Sequence, residues 1–103
     1  MYIVVFVTCA NKKEADKVAQ ALISRKLAAC VNIIEKIESL FWWQGKVDRA
    51  KEVLLAIKSK KVKFPQIIKL VKSLHSYEVP EIIALPILAG NQAYLRWIDD
   101  SLR

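Results

Sequence analysis

Apolar residues follow two different periods along the chain, and the two periods alternate. Tyr2 to Thr8 is a continuous β-branched and aromatic run, which is typical of a central strand buried on both faces. Asn11 then looks like a helix N-cap, with Glu14 three residues later as its capping-box partner. The apolar positions that follow at helical spacing are Ala15, Val18, Ala19, Leu22 and Ile23.

The longest strand-forming stretch runs from Ala28 to Lys60, and Gly45 is its only glycine. It predicts one long β-hairpin that turns near Gln44-Gly45-Lys46, where glycine accepts a positive φ angle. Each arm would hold about 14 residues and span about 45 Å, well beyond the usual strand of about five or six residues. A domain of this size cannot cover such arms, so we expect copies of the same chain to cover the hairpin.

The second half of the chain predicts a helix, a strand and a final helix. The first of these helices begins at Pro65 and ends near His75-Ser76. Ile82 to Leu88 is a strand with a free or bulged edge, because Pro86 cannot donate a ladder hydrogen bond. Gly90-Asn91 starts the last helix. The apolar faces of these two helices are Ile67, Ile68, Val71 and Leu74, and then Tyr94, Leu95, Ile98 and Leu102.

The predicted order of elements is β-α-β-β-α-β-α. Its first six elements form the split βαβ arrangement, so we expect an α+β, ferredoxin-like sandwich with a long hairpin between the second and third strands. The chain has 103 residues, no linker and no internal repeat, which predicts a single domain over residues 1–103.

Composition narrows the possible settings and partners. Apolar residues make up 54% of the chain, enough for one core and for an interface besides. No apolar run approaches the ~18 residues of a membrane span, and no basic segment precedes the first strand, so we expect a cytoplasmic protein with no membrane partner. The net charge is +7, but the lysines are spread out. The one local cluster, at Lys58, Lys60, Lys61 and Lys63, favours a solvated basic face, and no nucleic-acid partner is expected.

Several kinds of chemistry lack the residues they need. The loop Thr8-Cys9-Ala10-Asn11 has no C-x-x-C pair, and Glu52–Lys58 has none of the stacking aromatics of an RNA-recognition strand. Phosphate-binding and nucleophile-elbow motifs are missing too. A Cys30–His75 nucleophile pair is formally possible but has no local support. We therefore expect a protein without enzymatic activity.

The remaining chemistry centres on His75, the only histidine. It is either a helix C-terminal residue that interacts with the helix dipole or a metal ligand. Glu78 and Glu81 in the following segment could be ligands, part of a helix-end polar network, or plain surface. Cys9 and Cys30 are too few for a disulfide scaffold, and are either buried apolar residues or thiols close together in space.

Four motifs follow one another in register: A-A-C-V-N at Ala28–Asn32, W-W-Q-G-K at Trp42–Lys46, H-S-Y-E-V-P-E-I at His75–Ile82 and Y-L-R-W at Tyr94–Trp97. Together they closely resemble the CutA (CutA1-like) divalent-cation tolerance proteins, over essentially the whole chain. The resemblance implies a ferredoxin-like subunit, a tight homotrimer built through the long hairpins, a cytoplasmic setting, and a link to copper and other divalent metals. It also implies an architecture similar to that of the PII signalling proteins.

The resemblance carries a departure at the copper site. Family members with a described site place a cysteine in the first strand and two adjacent histidines at the end of the second helix. This chain has Val7 and Leu74-His75 there, so only His75 matches. If copper binds, as Cu²⁺ or Cu⁺, we expect His75 as a ligand with sulfur from Cys9 or Cys30, completed by water or Glu78. Such binding should be weak, should strengthen at higher pH, and is not required for folding.

Two functional hypotheses remain open beside an uncharacterised enzyme. One is a homotrimeric metal-tolerance protein that binds copper weakly or transiently. The other is a PII-like trimer whose inter-subunit clefts bind a small anionic ligand or a protein partner. The residues expected to line such a cleft are Lys58, Tyr77, Glu78, Tyr94 and Trp97. In either case the hairpin tip, with Phe41, Trp42 and Trp43, is expected to be a subunit interface.

Overall fold

The computed structural model describes residues 1–103, and it contains four strands and three α-helices. In chain order they are β1 (Tyr2–Cys9), α1 (Lys12–Ser24), β2 (Cys30–Trp43), β3 (Lys46–Lys60), α2 (Phe64–Leu74), β4 (Ile82–Pro86) and α3 (Gln92–Ser101). A short 3₁₀ turn, Lys61–Lys63, precedes α2. The predicted element order and the ferredoxin-like α+β class are confirmed.

The sheet has the strand order β2-β3-β1-β4, with every neighbouring pair antiparallel. Because β1 and β2 both run antiparallel to β3, they run parallel to each other. Helix α1 therefore returns from the end of β1 to the opposite end of the sheet before β2 begins. We call these two ends the Cys9 end and the Tyr2 end, after the last and first residues of β1.

One face of the sheet is covered by α1 and α2. Val5 and Val7 of β1 lie beside Leu55 and Ile57 of β3, and all four side chains are fully buried. The helix residues that pack on them are Ala15, Val18 and Leu22 of α1 and Ile67, Leu70 and Val71 of α2. Two of the positions predicted to face the core are exposed: Ile23 is 44% exposed and Tyr94 is 41% exposed.

The other face of the sheet is apolar and largely uncovered. Its members alternate with the core residues along all four strands. We call it the open face: Val4, Phe6, Ile34, Leu54, Ala56, Ile83 and Leu85. Ile83 is half exposed, and Val4 and Phe6 are only partly buried. The continuous apolar run of β1 predicted burial on both faces, and a single chain provides it on one.

The long hairpin extends past the rest of the sheet. The turn lies at Gln44 and Gly45, both with positive φ (51° and 78°), which matches a two-residue primed turn. Beyond a bulge between Ile34 and Ile37, where Lys36 has φ 64°, the arms pair only with each other. We call this part the ribbon: residues 37–43 and 46–52. Trp42, at its tip, is 76% exposed.

Strand β4 is shorter than predicted. It ends at Pro86 and not at Leu88, because a proline can occupy a strand end but cannot donate in a continuing ladder. It is an edge strand, as the proline indicated, and the next residue, Ile87, still donates a backbone hydrogen bond to Tyr2 at 3.0 Å. None of the three helices has the length and apolarity needed to cross a membrane.

Helix α3 is fixed to the Tyr2 end of the sheet by charged contacts. The Tyr2 hydroxyl donates to Asp99 at 2.5 Å, and the Lys60 ammonium lies 2.7 Å from the other oxygen of the same carboxylate. Lys60 and Tyr2 hydrogen bonds hold the pKa of Asp99 below its ordinary value. Ile98 and Leu102 supply the buried side of the helix.

Candidate metal centre

Three element ends meet at the Cys9 end of the sheet. Strand β1 ends at Cys9, α1 begins directly after it, and α2 ends one residue before His75. The start of α1 is set by Asn11, whose side-chain oxygen accepts a hydrogen bond from the Glu14 amide at 2.8 Å. This local geometry brings a thiol, a carboxylate and an imidazole into one place.

Glu14 does not complete the predicted capping box. Its carboxylate does not bond the Asn11 amide but accepts from Ala10 N–H at 2.9 Å and from Ser76 N–H at 2.7 Å. Burial alone would raise the pKa of Glu14, but the hydrogen bonds from Ser76 and Ala10 outweigh it and hold the pKa below its ordinary value. Glu14 is therefore an ionised side chain that ties the start of α1 to the segment after α2.

The His75 side chain has no exposed surface, and both of its ring nitrogens are hydrogen-bonded. Its Nδ1 lies 3.0 Å from Tyr77 N–H, and its Nε2 lies 2.6 Å from the Thr8 carbonyl oxygen. A backbone N–H can only donate, so Nδ1 is the acceptor and Nε2 carries the proton that it donates to Thr8. These two partners select the tautomer with the proton on Nε2. The ring turns toward β1, so its main contacts are with that strand and with Tyr77.

Cys9, Glu14 and His75 form one compact donor set. One ligand atom from each lies within 4.8 Å of the other two, and His75 Nε2 is already 3.8 Å from a Glu14 oxygen. Tetrahedral bonds of about 2.0–2.3 Å place ligand atoms about 3.3–3.8 Å apart, so a contraction of about 1 Å would suffice. Sulfur, nitrogen and oxygen donors together suit zinc or copper better than magnesium or calcium. The residues present fit such an ion.

The protonation state of Cys9 limits this site. The side chain has no exposed surface. Burial, with the nearby carboxylates of Glu14 and Glu52 adding to it, raises the pKa of the Cys9 thiol to about 12. A metal binds the thiolate, so an ion must displace this proton before sulfur can contribute.

Tyr77 connects this cluster to the ribbon. Its ring lies 4.8 Å from that of His75, and its hydroxyl donates to Glu52 at 2.8 Å. Glu52 is only 7% exposed, at the last position of the β3 arm before β3 joins β1. Burial, followed by the hydrogen bond to Glu52, raises the pKa of Tyr77 to about 12.

The other predicted metal ligands lie elsewhere in the chain. Cys30 is at the Tyr2 end of the sheet, where it pairs with Lys58, whereas Cys9 pairs with Val53. Those two β3 residues are about 17 Å apart at about 3.4 Å per residue, so one subunit does not bring Cys30 to His75. Glu78 is exposed and lines a separate shallow cavity with Lys72 and Pro80.

The five predicted cleft residues fall into two groups in one chain. Tyr77 and Glu78 follow α2 at the Cys9 end. Tyr94 and Trp97 stack on α3 with their rings 5.3 Å apart. Burial raises the pKa of Tyr94, and the adjacent Cys30 thiol adds to the shift. Lys58, the partner of Cys30 in the sheet, hydrogen-bonds Asn32.

Sequence reasoning missed two carboxylates of the cluster, Glu14 and Glu52. Glu14 is predicted from the sequence as a capping-box residue, and that role does not identify it as a metal ligand. A signal for Glu14 was available, because it lies in the first turn of the helix, five positions after Cys9. A helix that folds back over the end of the preceding strand brings its first-turn side chains close to that strand end. Glu52 gave no signal, because its pairing with Tyr77 joins residues 25 positions apart.

The chain matches the family model of the CutA1 divalent ion tolerance protein over residues 3–101. It is 50% identical over 101 residues to the chloroplastic protein CutA 1 of Oryza sativa, covering 98% of this chain and 57% of the relative. It is 44% identical over 98 residues to the divalent-cation tolerance protein CutA of Thermus thermophilus, covering 95% of each. The chain thus spans about half the length of some relatives, such as the plant and human proteins, and nearly all of others.

Solved structures agree with these sequence matches. The Thermus thermophilus Cut A1 protein superposes with a TM-score of 0.94 at 45% identity, covering 95% of both chains. A protein of Archaeoglobus fulgidus, described as a periplasmic divalent cation tolerance protein CutA, superposes with a TM-score of 0.97 at 40% identity over the whole of both chains.

Proposed function

The chain belongs to the CutA1 divalent ion tolerance family, and from this premise we propose that it binds a divalent ion at Cys9, Glu14 and His75 as part of metal tolerance. The ion is the cargo of the protein and not a resident cofactor. Copper is the proposed physiological ion, because thiolate and imidazole ligands both suit it. The observation that carries the proposal is the donor set whose three ligand atoms lie within 4.8 Å.

The same geometry supports weak or transient binding. Cys9 must lose a proton whose pKa is about 12. His75 must give up its hydrogen bond to Thr8, and Glu14 must give up one or both of its amide donors. Each of these exchanges subtracts from the affinity that three good ligands would otherwise give. The third ligand in this proposal is Glu14, where the sequence suggested Cys30 or Glu78.

We propose that the working form is a homotrimer. The open face presents an apolar surface to solvent in one chain, and the ribbon carries unpaired strand edges beside exposed aromatic residues. A cyclic assembly covers both features, because each ribbon can lie along the sheet of a neighbour. Phe41, Trp42 and Trp43 are the proposed anchors of that interface.

A second function is favoured by the placement of the cleft residues. Tyr77 and Glu78 lie at one end of the sheet and Lys58, Tyr94 and Trp97 at the other, so the two groups can meet only between subunits. In a trimer they would line inter-subunit clefts that bind a small anionic ligand or a protein segment, as in a PII-like signalling module. Phosphate-containing ligands tested against the trimer by calorimetry, with Lys58→Ala as the variant, address this alternative.

We propose that the protein acts in the cytoplasm and without catalysis. The buried Cys9 thiol, with a pKa of about 12, supplies no thiolate nucleophile near neutral pH. When no ion is bound, both His75 nitrogens are engaged in hydrogen bonds, so neither is free to act as a general base.

The metal proposal is tested by titrating the purified protein with Cu²⁺, Cu⁺ and Zn²⁺ against a chelator of known affinity. We expect His75→Ala and Glu14→Ala to weaken binding at least tenfold. Cys30→Ser is the matched control for Cys9→Ser, since both replace a thiol by a hydroxyl and only Cys9 belongs to the cluster. Unchanged affinity in His75→Ala contradicts the site.

A further inference from the structure

The segment after α2 is held in place by the groups that would bind the ion. Ser76 N–H bonds the Glu14 carboxylate at 2.7 Å, and the His75 ring bonds the Thr8 carbonyl at 2.6 Å. Tyr77 then donates its amide to His75 Nδ1 at 3.0 Å and its hydroxyl to Glu52 at 2.8 Å. After Tyr77 the segment is free of such contacts, and Val79 is 76% exposed.

An ion on His75 changes which ring nitrogen carries the proton. Nε2 is the nitrogen nearest to Glu14, at 3.8 Å, and it now holds the proton donated to Thr8. Binding there removes that proton to solvent, and the neutral ring takes up a proton at Nδ1. Nδ1 then faces Tyr77 N–H as a second donor, so the hydrogen bond between them cannot persist.

We propose that metal binding at this site reverses the His75 tautomer and releases Tyr77 from both His75 and Glu52. The inference rests on the proposed metal site and adds its output. The Tyr77 backbone must move away from the ring, and the hydroxyl bond to Glu52 is lost with it. Glu52 is nearly buried at the base of the ribbon, so the loss exposes a carboxylate at the point where the ribbon leaves the sheet. Binding of an ion at the site therefore changes the hydrogen bonding of Glu52 at the base of the ribbon.

The experiment follows the single histidine of the chain by ¹⁵N NMR during titration with Zn²⁺, a diamagnetic ion. Without metal we expect the Nε2-protonated tautomer. With Zn²⁺ we expect a metal-bound Nε2, a protonated Nδ1, and hydrogen exchange at the Tyr77 amide that is at least tenfold faster.

A pair of tyrosine variants measures the coupling. Tyr77→Phe removes the bond to Glu52 that opposes release, so it should bind Zn²⁺ about fivefold more tightly than the wild type. Tyr2→Phe is the matched control, because it also removes a hydroxyl that donates to a carboxylate, Asp99, but at the opposite end of the sheet. Its Zn²⁺ affinity should equal that of the wild type.

The outcomes separate this inference from the site itself. No change in the His75 nitrogen signals on saturation with Zn²⁺ overturns the metal site and the inference together. Binding at Nε2 with an unchanged Tyr77 amide overturns only the release of Tyr77, and so does binding at Nδ1. Equal affinities for Tyr77→Phe and Tyr2→Phe overturn the coupling to Glu52.

Discussion

Metal affinity should rise steeply with pH, because Cys9 must lose its proton before sulfur can bind. The pKa of this thiol is raised to about 12, chiefly by burial. At a pH of about 7, forming the thiolate costs about 7 kcal/mol at about 1.36 kcal/mol per pH unit. The thiolate population, and with it the affinity, should therefore grow about tenfold per pH unit throughout the neutral range. Glu14 adds nothing to this slope, since its pKa is already lowered and it stays ionised.

The slope is measured by chelator competition with Zn²⁺ at several pH values between about 6.5 and 8.5. The wild type should show about one more proton released per ion bound than Cys9→Ser does. Calorimetry in buffers of different ionisation enthalpy counts the same proton independently. Cys30→Ser should keep the wild-type slope, because Cys30 lies at the opposite end of the sheet.

Equal slopes in the wild type and Cys9→Ser would refute the reasoning. That result would leave Glu14 and His75 as the protein ligands and would remove sulfur from the site. Circular dichroism of both serine variants checks that each retains the fold, since Cys9 is fully buried and Cys30 is not.

Three further predictions concern assembly and stability. Trp42 is 76% exposed in one chain, so covering it in a trimer would remove about 190 Å² from water. An alanine would still bury roughly half of that area, so Trp42→Ala should cost about 2–3 kcal/mol of assembly free energy per subunit at about 25 cal/mol per Å². Light scattering should show dissociation at a higher protein concentration than for the wild type, and a trimer of unchanged stability contradicts the interface. The pKa of Asp99 is lowered in the folded state, so its contribution to the free energy of unfolding is present above the unfolded-state pKa of about 3.9 and is lost as the pH falls through the folded-state pKa. Asp99→Asn should therefore reduce the fall in melting temperature at acid pH, and a fall as steep as that of the wild type would count against the α3 contacts. Lys36 has φ 64°, a backbone conformation that glycine adopts at lower cost than lysine. Lys36→Gly should therefore be at least about 1 kcal/mol more stable than the neighbouring Glu35→Gly in thermal denaturation. Equal melting temperatures for the two variants would show that the bulge is not strained.

The elements were predictable because each carries a local signal. Asn11 caps α1 as expected, Gln44-Gly45 turns the hairpin, and Pro86 marks β4 as an edge strand. These features depend on residues close in the sequence, where backbone preferences and hydrogen bonds act directly. The apolar periods gave the core face of the sheet for the same reason.

The donor set of the candidate site was only partly predictable, because it joins three distant elements. Cys9 and His75 were expected from their chemistry, but the partner of His75 had to come from tertiary packing. The element order alone separates Cys9 from Cys30. A helix that connects two parallel strands returns the chain along the sheet, so the end of the first strand and the start of the second lie at opposite ends of the sheet. The hydrogen bonds of Glu14 to Ala10 and Ser76 depend on side-chain orientation, which no spacing rule gives.

The burial of β1 was overestimated for a related reason. Its unbroken apolar run indicates that both faces avoid water, but the pattern does not say which molecule provides the cover. Val4 and Phe6 are only partly buried in one chain, and their full burial is a property of the assembly that we propose.

The separation of the two cysteines has a consequence for the environments in which the chain can fold. A disulfide requires Cα atoms within about 7 Å, and the strand positions of Cys9 and Cys30 differ by about 17 Å along the sheet. The folded subunit therefore cannot form an internal disulfide in an oxidising compartment, and a reducing one removes no bond from it. The folded subunit is thus compatible with either redox condition, with Cys30, the partly exposed thiol, as the one open to reaction with another molecule.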